Sequence, residues 1–217
     1  DGDEIHFIKR GRKLSREELE GVMISRHTPK IAQKLKNATV GIAGLGGLGS
    51  NIAVALSRIG IGHLVLADFD VVEPSNLNRQ QYFIEQLGMY KTEAMLQTLK
   101  RINPYNQITL YDQKIIPENV EKIFGGCDIV IEAFDRADFK AMLIQECAKL
   151  GKITIAASGM AGYGDNDSII SRKINDKLYI VGDFINEARP GNGLMAPRVM
   201  IAAAKEANLA VEILLKD

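Results

Sequence analysis

Short apolar runs recur along the chain and alternate with stretches in which apolar residues return every three or four positions. Thr39–Ala43 (TVGIA), His63–Asp68 (HLVLAD), Gln107–Asp112 (QITLYD), Asp128–Phe134 (DIVIEAF) and Lys152–Ser158 (KITIAAS) read as strands. Between them, NIAVALSRIG, KTEAMLQTLKRIN, ENVEKIFG and ADFKAMLIQECAKLG read as helices. Upstream, Ser15 and Glu18 have capping-box spacing, which predicts a helix over Arg16–Ile24. Pro29 interrupts the chain before a second helical piece, KIAQKLKN. Strict alternation of short apolar strands and helices predicts an α/β, Rossmann-like, mainly parallel sheet with helices on both faces.

The pattern changes after Ser158. GMAGYGDND is a glycine-rich loop, and SIISRKI and KLYIVGD flank Asn175-Asp176 as an antiparallel hairpin. A second glycine loop, GNGLMAP, leads into a closing amphipathic helix, RVMIAAAKEANLAVEILLKD. Residues 15–217 therefore read as a single domain. DGDEIHFIKRG at the start reads either as the last strand of another module or as an appended segment.

Composition narrows the classes. Lys+Arg and Asp+Glu both number 27, so the formal net charge is +0. That argues against nucleic acid or a membrane surface held by bulk charge. No apolar run reaches the ~18–20 residues of a membrane span. Cys127 and Cys147 stand alone, which fits a reduced cytoplasmic setting and excludes a four-thiolate zinc site within one chain. No zinc is expected. The thiols read as packing residues, and Met195 and Met200 as core or interface filler.

Between the first strand and its helix lies GLGGLG. Gly44, Gly46 and Gly49 satisfy GxGxxG, with Gly47 beside them. Glycines there permit a tight turn and close approach of backbone to phosphate, and the helix start supplies free N–H groups. About twenty residues on, Asp68 ends the second strand, where a carboxylate accepts from ribose hydroxyls. This predicts a nucleotide site without choosing among NAD, FAD and ATP. The next loop, DFDVVEPSNLNRQQYF, narrows the choice. It carries Asp68, Asp70, Asn76, Arg79 and Gln80, more polar groups than a nicotinamide ribose needs. Arg79 has a planar fork suited to phosphate oxygens, Lys91 opens the following helix, and Asp135 follows the fourth strand. Two cations and a carboxylate at strand ends suit a polyphosphate with Mg²⁺.

GLGGLGSN, DFDVVEPSNLNRQ, GMYKTEA and EAFD, in this order, resemble the ThiF/MoeB family of ubiquitin-activating-type adenylyltransferases, over Arg26 to Ala157. ASGMAGYG and GLMAPRV are most similar to short ThiF proteins of thiamine biosynthesis. The resemblance implies ATP-dependent adenylation of the C-terminal glycine of a ThiS-like sulfur carrier ending in GlyGly, by a homodimer without nucleic acid or membrane. It implies that Asp68 holds ribose, that Arg79 and Lys91 bind phosphates with Asp70, Asn76 and Gln80 in the same loop, and that Asp135 organises Mg²⁺. Arg26 stands roughly where the family supplies an arginine from the partner subunit. Residues 1–14 would be the remnant of a ThiS-like β-grasp module. Three departures stand out: the paired CxxC motifs of larger relatives are missing, Arg136 replaces the usual Asn, and no cysteine follows Ser158. A nicotinamide-dependent oxidoreductase and a non-catalytic binder of a ubiquitin-like protein are the competing readings.

Overall fold

A computed structural model describes residues 11, 13–24 and 27–216. Arg26, His6 and the strand expected in the first ten residues lie outside the described residues. The elements run α1 (Arg16–Ile24), α2 (Pro29–Asn37), β1 (Thr39–Ala43), α3 (Gly47–Ile59), β2 (His63–Ala67), α4 (Lys91–Ile102) and β3 (Gln107–Tyr111). They continue with α5 (Pro117–Phe124), β4 (Ile129–Glu132), α6 (Ala137–Lys149), β5 (Ile153–Ala157), β6 (Ile170–Lys173), β7 (Leu178–Gly182) and α7 (Ala196–Leu215). Seven strands form one sheet in the order β3-β2-β1-β4-β5-β7-β6. Every pair is parallel except β6 with β7, the expected hairpin.

The central strands are apolar on both faces because both faces are covered. Val40, Ile42, Leu64, Leu66, Ile129 and Ile131 point into a core shared with Ile52 and Leu56 of α3, Met95 and Leu99 of α4, and Val199 and Ala202 of α7. Val65 and Val130 point the other way, against Val120 and Phe124 of α5 and Leu143 and Cys147 of α6. Gly41 leaves room for that second layer: a Cβ there would lie 2.6 Å from the Phe124 ring. Burying a side chain the size of Phe124 stabilises the fold by roughly 1.5–3 kcal/mol. Pro29, read as an interruption, is the first residue of α2, where its fixed φ suits the helix and Thr28 accepts from the Ile31 N–H. Met195 and Met200 are about half exposed, so neither fills the core. Among the described residues no helix is long and apolar enough to cross a membrane.

β4 stops at Glu132, short of Phe134, because the Glu132 carboxylate accepts the Phe134 N–H at 2.6 Å and turns the chain. Lys140 of α6 donates to both Glu132 oxygens at 3.0 Å. Glu206 of α7 is also fully buried, and neither of its oxygens has a hydrogen-bond partner. Burial, reinforced by Glu132 and opposed by Lys140, pushes its carboxyl well above the usual carboxylate range. Folding therefore takes up a proton at Glu206. The stability this group allows is full below its ordinary value and declines as pH rises towards the raised one. Glu206→Leu is expected to stabilise the protein by about 1–3 kcal/mol at neutral pH, and less at pH 4. Thermal melts of the two proteins at pH 4, 6 and 8 measure this; a destabilised variant at pH 8 would contradict it.

Candidate active site

The glycine loop sits at the carboxyl end of β1. Gly44 has φ +92°, and its N–H reaches the Ala67 carbonyl of β2 at 2.8 Å. A Cβ on Gly49 would lie 1.9 Å from the Gly44 carbonyl, so this glycine lets the helix close on the loop. Gly46 differs. A Cβ there would meet only the Gln80 amide at 3.9 Å, so internal packing does not demand glycine. The open space fits a ligand brought against the backbone. No side chain caps α3, so the N–H donors of its first turn suit an anion.

The loop after β2 folds back on α3. Asn51 donates to the Gly47 and Arg79 carbonyls at 2.7 and 3.2 Å, and accepts from Gln81 at 2.7 Å. Ser50 Oγ accepts the Gln81 N–H at 3.1 Å. These bonds lay Arg79 along the helix start, where a Cβ on Gly47 would be 3.5 Å from Arg79 Cγ. Arg79 Nη1 donates to the Ser75 carbonyl and to Asn78, but its buried Nε has no partner. Gln80 is buried with Oε1 equally unpaired. Buried polar atoms are almost always satisfied, so two orphans beside an uncapped helix fit a polar ligand. Asn76 serves the loop itself, accepting the Glu73 N–H at 3.1 Å.

Asp68 is 7% exposed. Its Oδ2 accepts the Leu45 N–H at 2.6 Å and its Oδ1 the Asp70 N–H at 2.8 Å, leaving lone pairs on both oxygens. Burial raises its carboxyl above the usual value, with Lys91 opposing. Lys91 is buried and pairs with Asp70 at 2.8 Å. On the other side of the glycine loop, a Cβ on Gly44 would touch the Ala133 carbonyl and the Phe134 ring at 2.9 and 3.3 Å. Asp135 follows directly, exposed in the turn into α6. The structure thus gathers the glycine loop, Asp68, Asp70, Arg79, Gln80 and Lys91, and sets the Asp135 turn against the same loop. Among the described residues no group of three or more His, Cys, Asp or Glu is placed to hold a metal. A magnesium ion carried by phosphates needs only one or two carboxylates, fewer than such a group.

The loops after Ser158 are tied by Arg198 of α7. Its guanidinium bonds Asp183 at 2.6 Å, Ser168 Oγ at 3.1 Å and the Gly164 and Asp165 carbonyls. Asp183 also accepts from the Ile185 and Asn186 N–H groups, each at 2.8 Å. Burial alone would raise the Asp183 carboxyl; the Asn186, Ile185 and Arg198 hydrogen bonds outweigh it and hold it at about 2. Tyr163 and Ile185 project from these loops, 80% and 82% exposed. Cys127 and Cys147 are buried, and burial pushes their thiols to about 12 and about 11. Neither is a nucleophile in this arrangement. Sequence reasoning gave no role to Asn51, Tyr82, Asp183 or Arg198. Asn51 lies two residues after the last glycine of the motif, and that proximity was its only signal.

An open α/β sheet with a glycine loop after β1 and a buried carboxylate at the end of β2 is a Rossmann-like arrangement. The ThiF family profile matches residues 20–215, and the chain belongs to that family. The chain is 38% identical over 160 residues to the tRNA threonylcarbamoyladenosine dehydratase of Haemophilus influenzae, covering 70% of this chain and 60% of that protein. It is 37% identical over 128 residues to the adenylyltransferase and sulfurtransferase MOCS3 of Drosophila sechellia, covering 58% of this chain and 28% of that one. The chain thus spans 60% or less of the length of these two curated relatives. Among solved structures, Escherichia coli tRNA N6-threonylcarbamoyladenosine dehydratase in complex with ATP superposes with a TM-score of 0.83 at 25% identity, covering 94% of this chain and 97% of that chain.

Proposed function

We propose that this protein is a nucleotidyltransferase that activates a carboxylate by adenylation with ATP. The observation that carries this is the uncapped start of α3 with the orphaned Arg79 Nε and Gln80 Oε1 beside it, in a fold matched by an ATP-bound relative. The substrate carboxylate attacks the α-phosphate, pyrophosphate leaves, and a mixed acyl–phosphate anhydride forms. A carboxylate is already ionised at neutral pH, so no general base is needed, and alignment and charge neutralisation carry the rate. Asp68 holds the ribose, the α3 N–H groups and Arg79 receive phosphate oxygens, and Lys91 adds a second cation. Asp135 would hold Mg²⁺, which would supply charge neutralisation.

The substrate we favour is the C-terminal glycine of a ThiS-like ubiquitin-like sulfur carrier, as in thiamine biosynthesis. A glycine tail needs a narrow slot, and the loops clamped by Arg198 at the carboxyl edge of the sheet would line it. We further propose a homodimer in which Arg26 reaches the partner's nucleotide, which sedimentation and mixing of Arg26→Ala with Asp135→Ala chains would check. A second reading follows from the 38% identity to a tRNA threonylcarbamoyladenosine dehydratase: the carboxylate would then belong to a modified nucleoside in tRNA. The balanced charge weighs against it.

ATP–pyrophosphate exchange separates the readings. Exchange that depends on a GlyGly-ended carrier supports the first. ATP consumption driven only by threonylcarbamoyladenosine-containing tRNA supports the second. Folded protein that binds NAD and not ATP overturns both.

A further inference from the structure

Lys91 opens α4, where a cation meets the unfavourable end of the helix dipole. Compensation comes from outside the helix. Lys91 Nζ donates to Asp70 Oδ2 at 2.8 Å, and the Lys91 N–H donates to the Asp70 carbonyl at 2.9 Å. The Asp70 N–H donates to Asp68 Oδ1 at 2.8 Å, and Asp68 Oδ2 accepts the Leu45 N–H at 2.6 Å. The Leu45 carbonyl accepts the Tyr82 hydroxyl at 2.8 Å, and the same hydroxyl lies 3.5 Å from the Lys91 carbonyl. These bonds close a ring: glycine loop, ribose carboxylate, second carboxylate, lysine, tyrosine and glycine loop again.

We propose that Asp70 and Tyr82 are positioning residues for phosphate recognition: Asp70 aims the Lys91 ammonium, and Tyr82 holds the glycine loop in register with it. The proposal rests on the nucleotide reading above. The Lys91 side chain is 7% exposed and that of Asp70 50%, so the pair has a dry end and a wet end. An ammonium has three N–H donors. Asp70 takes one, and two remain for phosphate oxygens. A lysine stem is flexible, so a tip fixed by a counter-ion meets its ordering cost on folding rather than on binding. Tyr82 is buried, and its hydroxyl fixes the carbonyl next to Gly46. That bond sets the aim of the N–H donors that follow. The Asp70 carboxylate meets Lys91 and the Tyr82 hydroxyl meets the Leu45 carbonyl, while Asp68 is met only by backbone N–H groups, so changing either side chain should act on phosphate-bearing ligands more than on the nucleoside.

Calorimetry with ATP and with adenosine tests this in the full chain. Asp70→Asn is expected to weaken ATP binding about tenfold and adenosine binding less than twofold, with Asp70→Glu recovering most of the loss. Tyr82→Phe is expected to act on ATP alone, by about threefold. In a Lys91→Met background, Asp70→Asn should have no further effect on ATP. Equal weakening of both ligands shows a merely structural role and overturns the proposal, as does wild-type ATP affinity in Asp70→Asn. Wild-type protein that binds neither ligand overturns the nucleotide reading and the proposal with it.

Discussion

Asp135→Asn is expected to lower kcat of carrier-dependent ATP–pyrophosphate exchange by about 10²-fold or more, with KM for ATP nearly unchanged. The substitution keeps the shape of the side chain and removes its charge. Asp135 is exposed, so the fold does not depend on it. Its proposed partner is Mg²⁺ on phosphates whose charge shifts as pyrophosphate leaves, and an interaction that grows towards the transition state appears in kcat. Asp68→Ala is the contrast. Ribose hardly changes during the reaction, so losing its partner should raise KM for ATP more than it lowers kcat. Asp68→Ala also leaves the Leu45 and Asp70 N–H groups without their acceptor, so a lower melting temperature should accompany it. Near-normal exchange by Asp135→Asn at saturating ATP would remove Asp135 from the magnesium role. The site would then have to be rebuilt around Asp70, since Glu132 is fully buried and engaged by Lys140 and the Phe134 N–H.

Much of this was readable in the chain because its cause is local. β1 to β5 and the β6–β7 hairpin lie within the runs the pattern marks, since burial on both faces of a parallel sheet demands continuous apolar residues. Asp68 and Asp135 stand out as candidates because Rossmann-like sheets place ligands at strand ends. Asp70 shows where this reasoning stops. As a loop carboxylate it looks interchangeable with its neighbours, and its pairing with Lys91 depends on how the loop folds back across 21 positions. Glu206 left a signal that was easy to pass over. It lies four residues after Ala202, three after Ala203 and four before Ala210, all buried, so helix periodicity alone puts it on the buried face. A charged residue in an amphipathic helix is read as surface by default. The Arg198–Asp183 pair is hidden for another reason: its value lies in loop carbonyls that no side-chain pattern encodes.

Arg198→Met is expected to destabilise the protein by about 3–5 kcal/mol, because it breaks a buried pair and strands the partner. Met fills much of the same volume, so the loss is of charge and donors rather than packing. Asp183 would keep its Ile185 and Asn186 bonds but lose its cation, and the Gly164 and Asp165 carbonyls would lose a common donor. For a domain of this size that corresponds to a melting temperature roughly 10 °C lower. The acid limb gives an independent check. The Asp183 carboxyl is held at about 2, below its ordinary value of 3.8, so its contribution is present above the ordinary value and lost as pH falls through the lower one. That shift is worth about 2 kcal/mol in wild type. Without Arg198 the folded value moves up, the contribution shrinks, and acid unfolding should begin at higher pH. At a temperature where the variant is still folded, ATP affinity should be near wild type, because the Arg198 bonds go to Asp183, Ser168, Gly164 and Asp165 rather than to the glycine loop or Lys91. KM for the carrier should rise instead, since the loops around Gly164 and Ile185 would no longer be fixed at the carboxyl edge of the sheet. A variant that melts within 2–3 °C of wild type would show that Arg198 does not hold these loops (at about 2–4 °C per kcal/mol). One that loses ATP affinity while keeping carrier KM would place the clamp at the nucleotide instead.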